Sequence, residues 1–258
     1  MKKEIIEGIL GRPEYNELLH NVSGKVILVT GGNGSIGQAL QRRIPYALFT
    51  DIESLDVTNP ESIAQYTHLH FDCIINLAGA KHAPEGEVSP EETLSINTQG
   101  VINLIKAFPG VKIIQASTCK ACNPETVYGA SKLISERLVL NAGGTVARFY
   151  NVIQTSGNVF EIWDKQSPEQ REAYEADRYF ITLEEVCGLI THCITLPSGR
   201  YIIPTKKRSI TKDIAPLFNI NKFNTRRKGD RYAELKHSTS EHTEQVYTHI
   251  HRVISYHD

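Results

Sequence analysis

The chain has 258 residues, 40% of them hydrophobic and 22% charged, with a formal net charge of -1 at pH 7. That is enough apolar material for one large α/β domain, or one domain with a small second lobe. The near-neutral balance argues against a general nucleic-acid binder or a polybasic membrane-binding surface, and no apolar run of about 18 residues offers a transmembrane helix.

The opening MKKEIIEGILGRPEYNELL carries two lysines but is interrupted by Glu, Gly, Arg and Pro, unlike a signal peptide. The first strand is predicted at KVILVT (25–30), a continuous apolar run of the kind buried on both faces of a parallel sheet. It runs straight into GGNGSIGQAL, where Gly31, Gly34 and Gly37 are spaced three apart and Ile36, Leu40 and Ile44 recur as one helix face. A glycine motif alone is weak, but a strand before it and a helix after it are the context that gives it meaning. Small loop residues let the backbone approach a pyrophosphate, and the helix N-terminus favours its charge. Asn33, Ser35 and Ile36 fall in the same loop and first turn. Twenty residues on from Gly31, Asp51 closes the second strand candidate; a carboxylate there accepts hydrogen bonds from both ribose hydroxyls and repels a 2′-phosphate, which favours NAD over NADP. Asp56 and Val57 would lie beside the adenine, although Asp56 can equally be read as a helix cap before NPESI.

The third strand, CIINLAG (73–79), delivers Ala78 and Gly79 to the cofactor, followed by Lys81 and His82 as candidate sugar contacts. A helix through Val101, Leu104 and Ile105 leads to the fourth strand, VKIIQAST (111–118), and the fifth strand is GTVARFYN (144–151), with Asn151 at its end. Between those two, GASKLISERLVL reads as a helix that puts Tyr128 and Lys132 one turn apart. Tyr-x-x-x-Lys matches by chance in a chain this rich in both residues. Tyr232 and Lys236 form a second copy, but no strand ending in Ser or Thr precedes it. Strand C-termini face the crevice of a doubly wound sheet, so Thr118, Tyr128 and Lys132 are expected to meet at the nicotinamide. There Lys132 and the cofactor's charge would lower the phenol's pKa, letting Tyr128 take a hydroxyl proton. Further on, TLEEVCGLITHCI shows a capping box from Thr182 to Glu185, GRYIIP is a late strand, and residues beyond about 205 read as short strands and loops.

Strand alternating with helix predicts an α/β fold, a doubly wound parallel (Rossmann) sheet with a small C-terminal substrate-binding lobe. Residues 1–150 would form the dinucleotide-binding domain with an N-terminal extension. Residues 151–258 would be mainly the lobe, with 178–204 returning to the Rossmann core. The five cysteines, an odd number, read as reduced thiols of a cytoplasmic protein. Cys119 and Cys122 form one C-x-x-C with no second copy, so no metal site is expected.

Five segments together resemble the extended short-chain dehydrogenase/reductases. Within that group they are most similar to the nucleotide-sugar 4,6-dehydratases of bacterial polysaccharide biosynthesis that act on UDP-N-acetylglucosamine. The segments are ILGRPEYNELLHNVSGKVILVTGGNGSIG, NLAGAKHAPEGEVSPEETLSINTQGVINLI, ASTCKACNPETVYGASKLISE, ARFYNVIQTSGNVFEIW and RYFITLEEVCGLI, with RKGDR standing where the family has a related basic motif. The resemblance implies an NAD-dependent lyase on a UDP-sugar and a homodimer or larger homo-oligomer. It implies C4 oxidation, removal of the C5 proton by Lys120, and loss of the C6 hydroxyl as water. It also implies substrate contacts from Arg178 and Arg227. Position 119 departs from the pattern: the family has an aspartic acid there, and this chain has Cys119, a thiol that would have to supply the leaving hydroxyl's proton. A nucleotide-sugar 4-epimerase or 4-ketoreductase is the alternative, and a non-catalytic dinucleotide-binding protein the next.

Overall fold

The computed structural model describes residues 1–15, 18, 20–224, 234–235, 237–238 and 240–255. In chain order the main elements are α1 (Lys3–Leu10), β1 (Ile27–Thr30), α2 (Ser35–Arg43), β2 (Leu48–Phe49), α3 (Pro60–Ala64), β3 (Cys73–Asn76), α4 (Ala83–Val88), α5 (Pro90–Leu94) and α6 (Gly100–Ala107). They continue with β4 (Lys112–Thr118), α7 (Val127–Asn141), β5 (Thr145–Phe149), β6 (Asn151–Val152), α8 (Val159–Lys165), β7 (Glu172–Tyr174), β8 (Asp177–Ile181), α9 (Leu183–Thr195) and β9 (Gly199–Ile202). Last come β10 (Lys207–Ser209), β11 (Lys222–Asn224), β12 (Glu241–Tyr247) and β13 (Ile250–Ser255).

An eight-stranded sheet runs in the order β12-β13-β9-β5-β4-β3-β1-β2. The six strands from β2 to β9 are parallel, and β13 and β12 are added antiparallel at the far edge. Every residue of β1, β3 and β5 is buried. Alternate side chains leave opposite faces, and each face has its own core. Val29, Ile75, Ile114 and Ala147 pack under α2 and α9, while Leu28, Ile74, Ile113 and Val146 pack under α3, α6 and α7. Each such fully buried aliphatic side chain stabilises the fold by about 1.5–3 kcal/mol. The doubly wound architecture read from the sequence is the one observed. The chain steps from β1 to β2 on one side, then back across β1 to β3, so the switch point lies between the C-terminal ends of β1 and β3.

The lobe holds a three-stranded sheet, β10-β8-β6, and a two-stranded one, β11-β7. Its core joins Phe160, Trp163, Phe180, Ile214 and Phe218 with Ile6, Ile9 and Leu10 of α1. The N-terminal helix therefore packs on the lobe core rather than on the dinucleotide-binding half. The β12–β13 hairpin belongs to the large sheet, so residues 241–255 lie outside the lobe that the sequence pattern assigned to them. Its outer strand, EHTEQVY, is mostly exposed and polar, which hides it from a search for apolar runs.

Behind β4 and β5 lies a closed charge cluster. Glu136 of α7 accepts from Ser117 Oγ (2.6 Å), Arg148 Nη2 (2.6 Å) and Nε (3.0 Å), and Arg200 Nε (3.0 Å). Glu241 of β12 accepts from Arg148 Nη1 at 2.9 Å and from the Ser238 amide at 2.7 Å. Arg148, Arg200 and Glu136 are all 0% exposed. Two guanidinium groups thus meet two carboxylates, which is how buried charges escape most of their desolvation penalty.

Candidate functional site

A cavity of about 990 Å³ opens along the switch point, lined on one side by the β1–α2 loop and on the other by the lobe segment around residues 151–160. Gly31, Gly34, Ser35, Ile36 and Gly37 form its floor, Asp51, Asp56 and Val57 one end, and Ala78 and Gly79 the wall after β3. Thr118, Lys120 and Tyr128 stand at its centre, with Lys81, His82, Asn151 and Arg178 around the lobe end. These predicted residues therefore come together. Arg227, with the discarded pair Tyr232 and Lys236, lies outside the described residues.

The loop geometry suits a dinucleotide. Gly31 has φ of 69°, and a Cβ there would sit 2.7 Å from the Ala78 amide nitrogen. The loop can thus lie flat against the end of β3 only without a side chain. Helix α2 has Gly34 as its N-cap and no side chain on its free amides, which leaves them for an anion. Gly31→Ala is expected to weaken dinucleotide binding at least about tenfold with the fold retained, since the left-handed φ and the close approach each cost on the order of 1 kcal/mol or more. Titration of the variant with NAD, followed by tryptophan or cofactor fluorescence, checks this.

Asp51 faces the loop: its Oδ2 accepts from the Asn33 amide at 2.7 Å. Asn33 is exposed and does not line the cavity; its backbone orients the aspartate. Asp56 does two things, lining the cavity while its Oδ1 accepts from Thr58 N and Oγ1, both at 2.8 Å. The cap of α3 is Asn59, whose side chain accepts from the Glu61 amide.

Helix α7 presents Tyr128 because its first turn is pinned twice. Thr126 caps it, accepting from the Gly129 amide at 3.1 Å, and Glu87 Oε1 accepts from the Val127 amide at 2.7 Å. A Cβ at Gly129 would stand 2.5 Å from the Lys120 carbonyl oxygen, so this glycine lets α7 close onto the turn that carries Lys120. Thr118 Oγ1 accepts from the Lys120 amide at 3.2 Å. Burial raises the Tyr128 pKa, opposed by the Lys120 charge and by Thr118. Lys120 is thus a cation that acts on the phenol.

Lys132 is 6% exposed and lies beneath Gly79. Burial depresses its pKa to about 8, with Glu136 opposing the shift. The unfolded chain, with an ordinary lysine value near 10.5, therefore binds more protons between those two pH values. Stability should rise with pH across that window relative to Lys132→Met, which lacks the titration. Urea unfolding of both proteins at pH 8 and pH 10 reads the difference.

Asn97 is a site residue that the Tyr and Lys motifs do not reveal. It is 1% exposed and sits in a π-helical turn, residues Ser95–Gln99, between α5 and α6. Its Nδ2 donates to the Ala80 carbonyl (2.9 Å) and Ser131 Oγ (3.0 Å), while its Oδ1 has no hydrogen-bond partner. That oxygen and Lys132 Nζ both converge on Gly79, at 3.0 and 3.6 Å from where its Cβ would be. π-bulges gather at functional sites, and the available signal was the Asn-x-x-Gly of NTQG.

Cys119 is not among the groups that line the cavity. The 3-10 turn Cys119–Ala121 follows β4 directly. At three residues per turn, successive side chains point about 120° apart, so Lys120 faces the cavity while Cys119 and Ala121, each 1% exposed, point into the protein. Cys119 packs with Tyr150 and Ile75. Burial, and then the Glu234 carboxylate, push its pKa well up, so it stays a thiol, but one behind the wall. Cys122 is also buried and accepts from Arg148 Nη1 at 3.2 Å.

Residues 48–250 match the family described as "Polysaccharide biosynthesis protein". The Bacillus subtilis protein named "Probable polysaccharide biosynthesis protein EpsC" is 27% identical over 95% of this chain and 51% of its own length. A Campylobacter jejuni UDP-N-acetylglucosamine 4,6-dehydratase (inverting) is 31% identical over 70% of this chain and 66% of its own. The chain spans about half the length of the first of these relatives. Among solved structures, a dTDP-4-dehydrorhamnose reductase from Bacillus anthracis in complex with NADP superposes with a TM-score of 0.73 at 19% identity, covering 84% of this chain and 90% of the other. At that identity the superposition speaks for the fold, and it is the same doubly wound sheet with a lobe. With 203 consecutive residues matched (250 − 48 + 1), the chain belongs to the polysaccharide biosynthesis protein family.

Proposed function

We propose that the chain is an NAD-dependent nucleotide-sugar 4,6-dehydratase acting on a UDP-N-acetylhexosamine. The observation that carries the reading is that Lys120 stands in the same cavity as Tyr128, Thr118 and the β1–α2 loop. Oxidation or reduction at C4 alone has no use for a second proton-transfer group, whereas elimination across C5 and C6 needs one. The dinucleotide, when bound, would supply the two-electron oxidation at C4 and the hydride that later reduces C6. Gly31, Gly34 and the α2 N-terminus would hold its pyrophosphate, and Asp51 its ribose, with NAD preferred over NADP. Tyr128 takes the C4 hydroxyl proton, and Thr118 holds the phenol. Lys120 then takes the C5 proton, which the neighbouring C4 ketone makes acidic. Arg178 and Asn151, with Lys81 and His82 at the rim, would grip the diphosphate and sugar.

A 4-epimerase or 4-ketoreductase is the second reading, and the burial of Cys119 favours it, because the thiol has no path to a leaving hydroxyl. Ile134, 44% exposed on α7, offers an apolar contact for a homodimer through that helix, and five free thiols suit a reducing, cytoplasmic setting. The test is incubation with UDP-N-acetylglucosamine and NAD, followed by mass spectrometry. Loss of one water supports the dehydratase. Unchanged mass with a shifted NMR spectrum supports epimerisation and overturns the first reading.

A further inference from the structure

The lobe contributes a carboxylate that no motif announces. Glu234 is 3% exposed, and its own amide donates to the Asp177 carbonyl at 3.2 Å, which anchors it beside Arg178. Its Oε1 accepts from Lys120 Nζ at 3.2 Å and its Oε2 from Asn151 Nδ2 at 2.6 Å, while Arg178 Nε stands 3.6 Å from Oε1. Lys120, Asn151 and Arg178 all line the cavity. Three polar groups of the site, from three separate elements, thus converge on one acid 114 residues downstream of the lysine.

We propose that Glu234 is the positioning residue of Lys120: it aims the lysine into the cavity and exchanges a proton with it, so that Lys120 serves as both base and acid. The proposal rests on the dehydratase reading. Once C4 is a ketone, the Lys120 ammonium passes one N–H proton to the Glu234 carboxylate. The freed amine takes the C5 proton, and the C5–H electrons become the C5–C6 double bond. The C6–O electrons leave with oxygen, which takes a proton back from Lys120 and departs as water. Glu234 then returns its proton to the amine. Both groups end as they began, the sugar has lost one water, and no thiol is needed.

The titratable groups that act on the Lys120 ammonium are Glu234, Cys119 and Tyr128, with Arg178 near the same Glu234 oxygen. Burial works against the ammonium, but Glu234, followed by the other two, outweighs it and raises the Lys120 pKa. A lysine held this firmly as a cation is well aimed but seldom free, so the amine that takes the C5 proton forms only as a proton crosses the 3.2 Å bond to Glu234.

The test compares the parent chain with Glu234→Gln and Glu234→Asp, each checked for folding by circular dichroism. Trace acetylation of Lys120 by acetic anhydride, read by peptide mass spectrometry across pH, reports its titration without reference to any reaction. Water loss from UDP-N-acetylglucosamine reports the chemistry. In Glu234→Gln the Lys120 midpoint should fall by about one pH unit or more, a tenfold gain in free amine, and water loss should slow about 100-fold or more. Glu234→Asp should recover part of both. An unchanged Lys120 midpoint overturns the pairing, and so does undiminished water loss in Glu234→Gln. If the parent loses no water while the Lys120 midpoint still shifts, the pair stands and the dehydratase reading falls.

Discussion

Replacing Tyr128 by Phe is expected to lower turnover of the nucleotide sugar by about 10²–10⁴-fold while dinucleotide affinity stays unchanged. The variant keeps the ring that lines the cavity and removes only the hydroxyl. It leaves untouched the loop that would hold the pyrophosphate, because Gly31 and Gly34 are positioned by β1 and α2 rather than by α7. Steady-state turnover set beside a cofactor titration separates the two effects. A variant that turns over within about tenfold of the parent would show that another group moves the C4 proton.

The largest expected effect on stability comes from Arg148→Ala. The guanidinium bonds both Glu136 and Glu241 from a position that is 0% exposed. Its loss leaves Glu241 without its guanidinium partner and Glu136 with Arg200 and Ser117 alone. Breaking a buried ion pair from one side costs about 3–5 kcal/mol, so the urea midpoint should fall with little change in slope. The pH dependence has a definite sign. Burial raises the Glu241 pKa, but the hydrogen bond and charge of Arg148 outweigh it and the folded value is lowered from the ordinary 4.5. The unfolded chain then binds more protons just below that pH, so this part of the stability is present above about 4.5 and is lost as the medium is acidified. The gap between parent and variant should narrow accordingly. A loss below about 1 kcal/mol at pH 7 would mean that water or a local shift rescues the carboxylates.

What was legible in the sequence was what is local. The four apolar runs gave β1, β3, β4 and β5, because strands buried on both faces must be apolar throughout. Thr182 and Glu185 form the expected capping box on α9, since each side chain meets the other's backbone three residues away. The β1–α2 loop and the pair Tyr128 and Lys132 follow from spacing read together with the strand that precedes each. What was not legible depends on the fold closing. Glu234 and Lys120 meet across 114 residues, and Arg148 and Glu241 across 93; no period or motif records such a meeting. Cys119 looked like a site residue because it stands beside Lys120, yet a tight turn sends neighbouring side chains to opposite sides. Helix α1 carries an apolar face whose partner, the lobe core, is assembled from segments more than a hundred residues away.

The β12–β13 hairpin has a consequence for biogenesis. A chain emerging from the ribosome could assemble β1 to β5, α7 and β9 long before residues 238–255 appear, and at that stage Arg148 has the carboxylate of Glu136 but not that of Glu241. The buried Arg148 guanidinium would lack one of its two carboxylates until Glu241 arrives. Commitment to the native state is thereby deferred until the hairpin has emerged, and a chaperone holding the incomplete domain would find its exposed edge at β9.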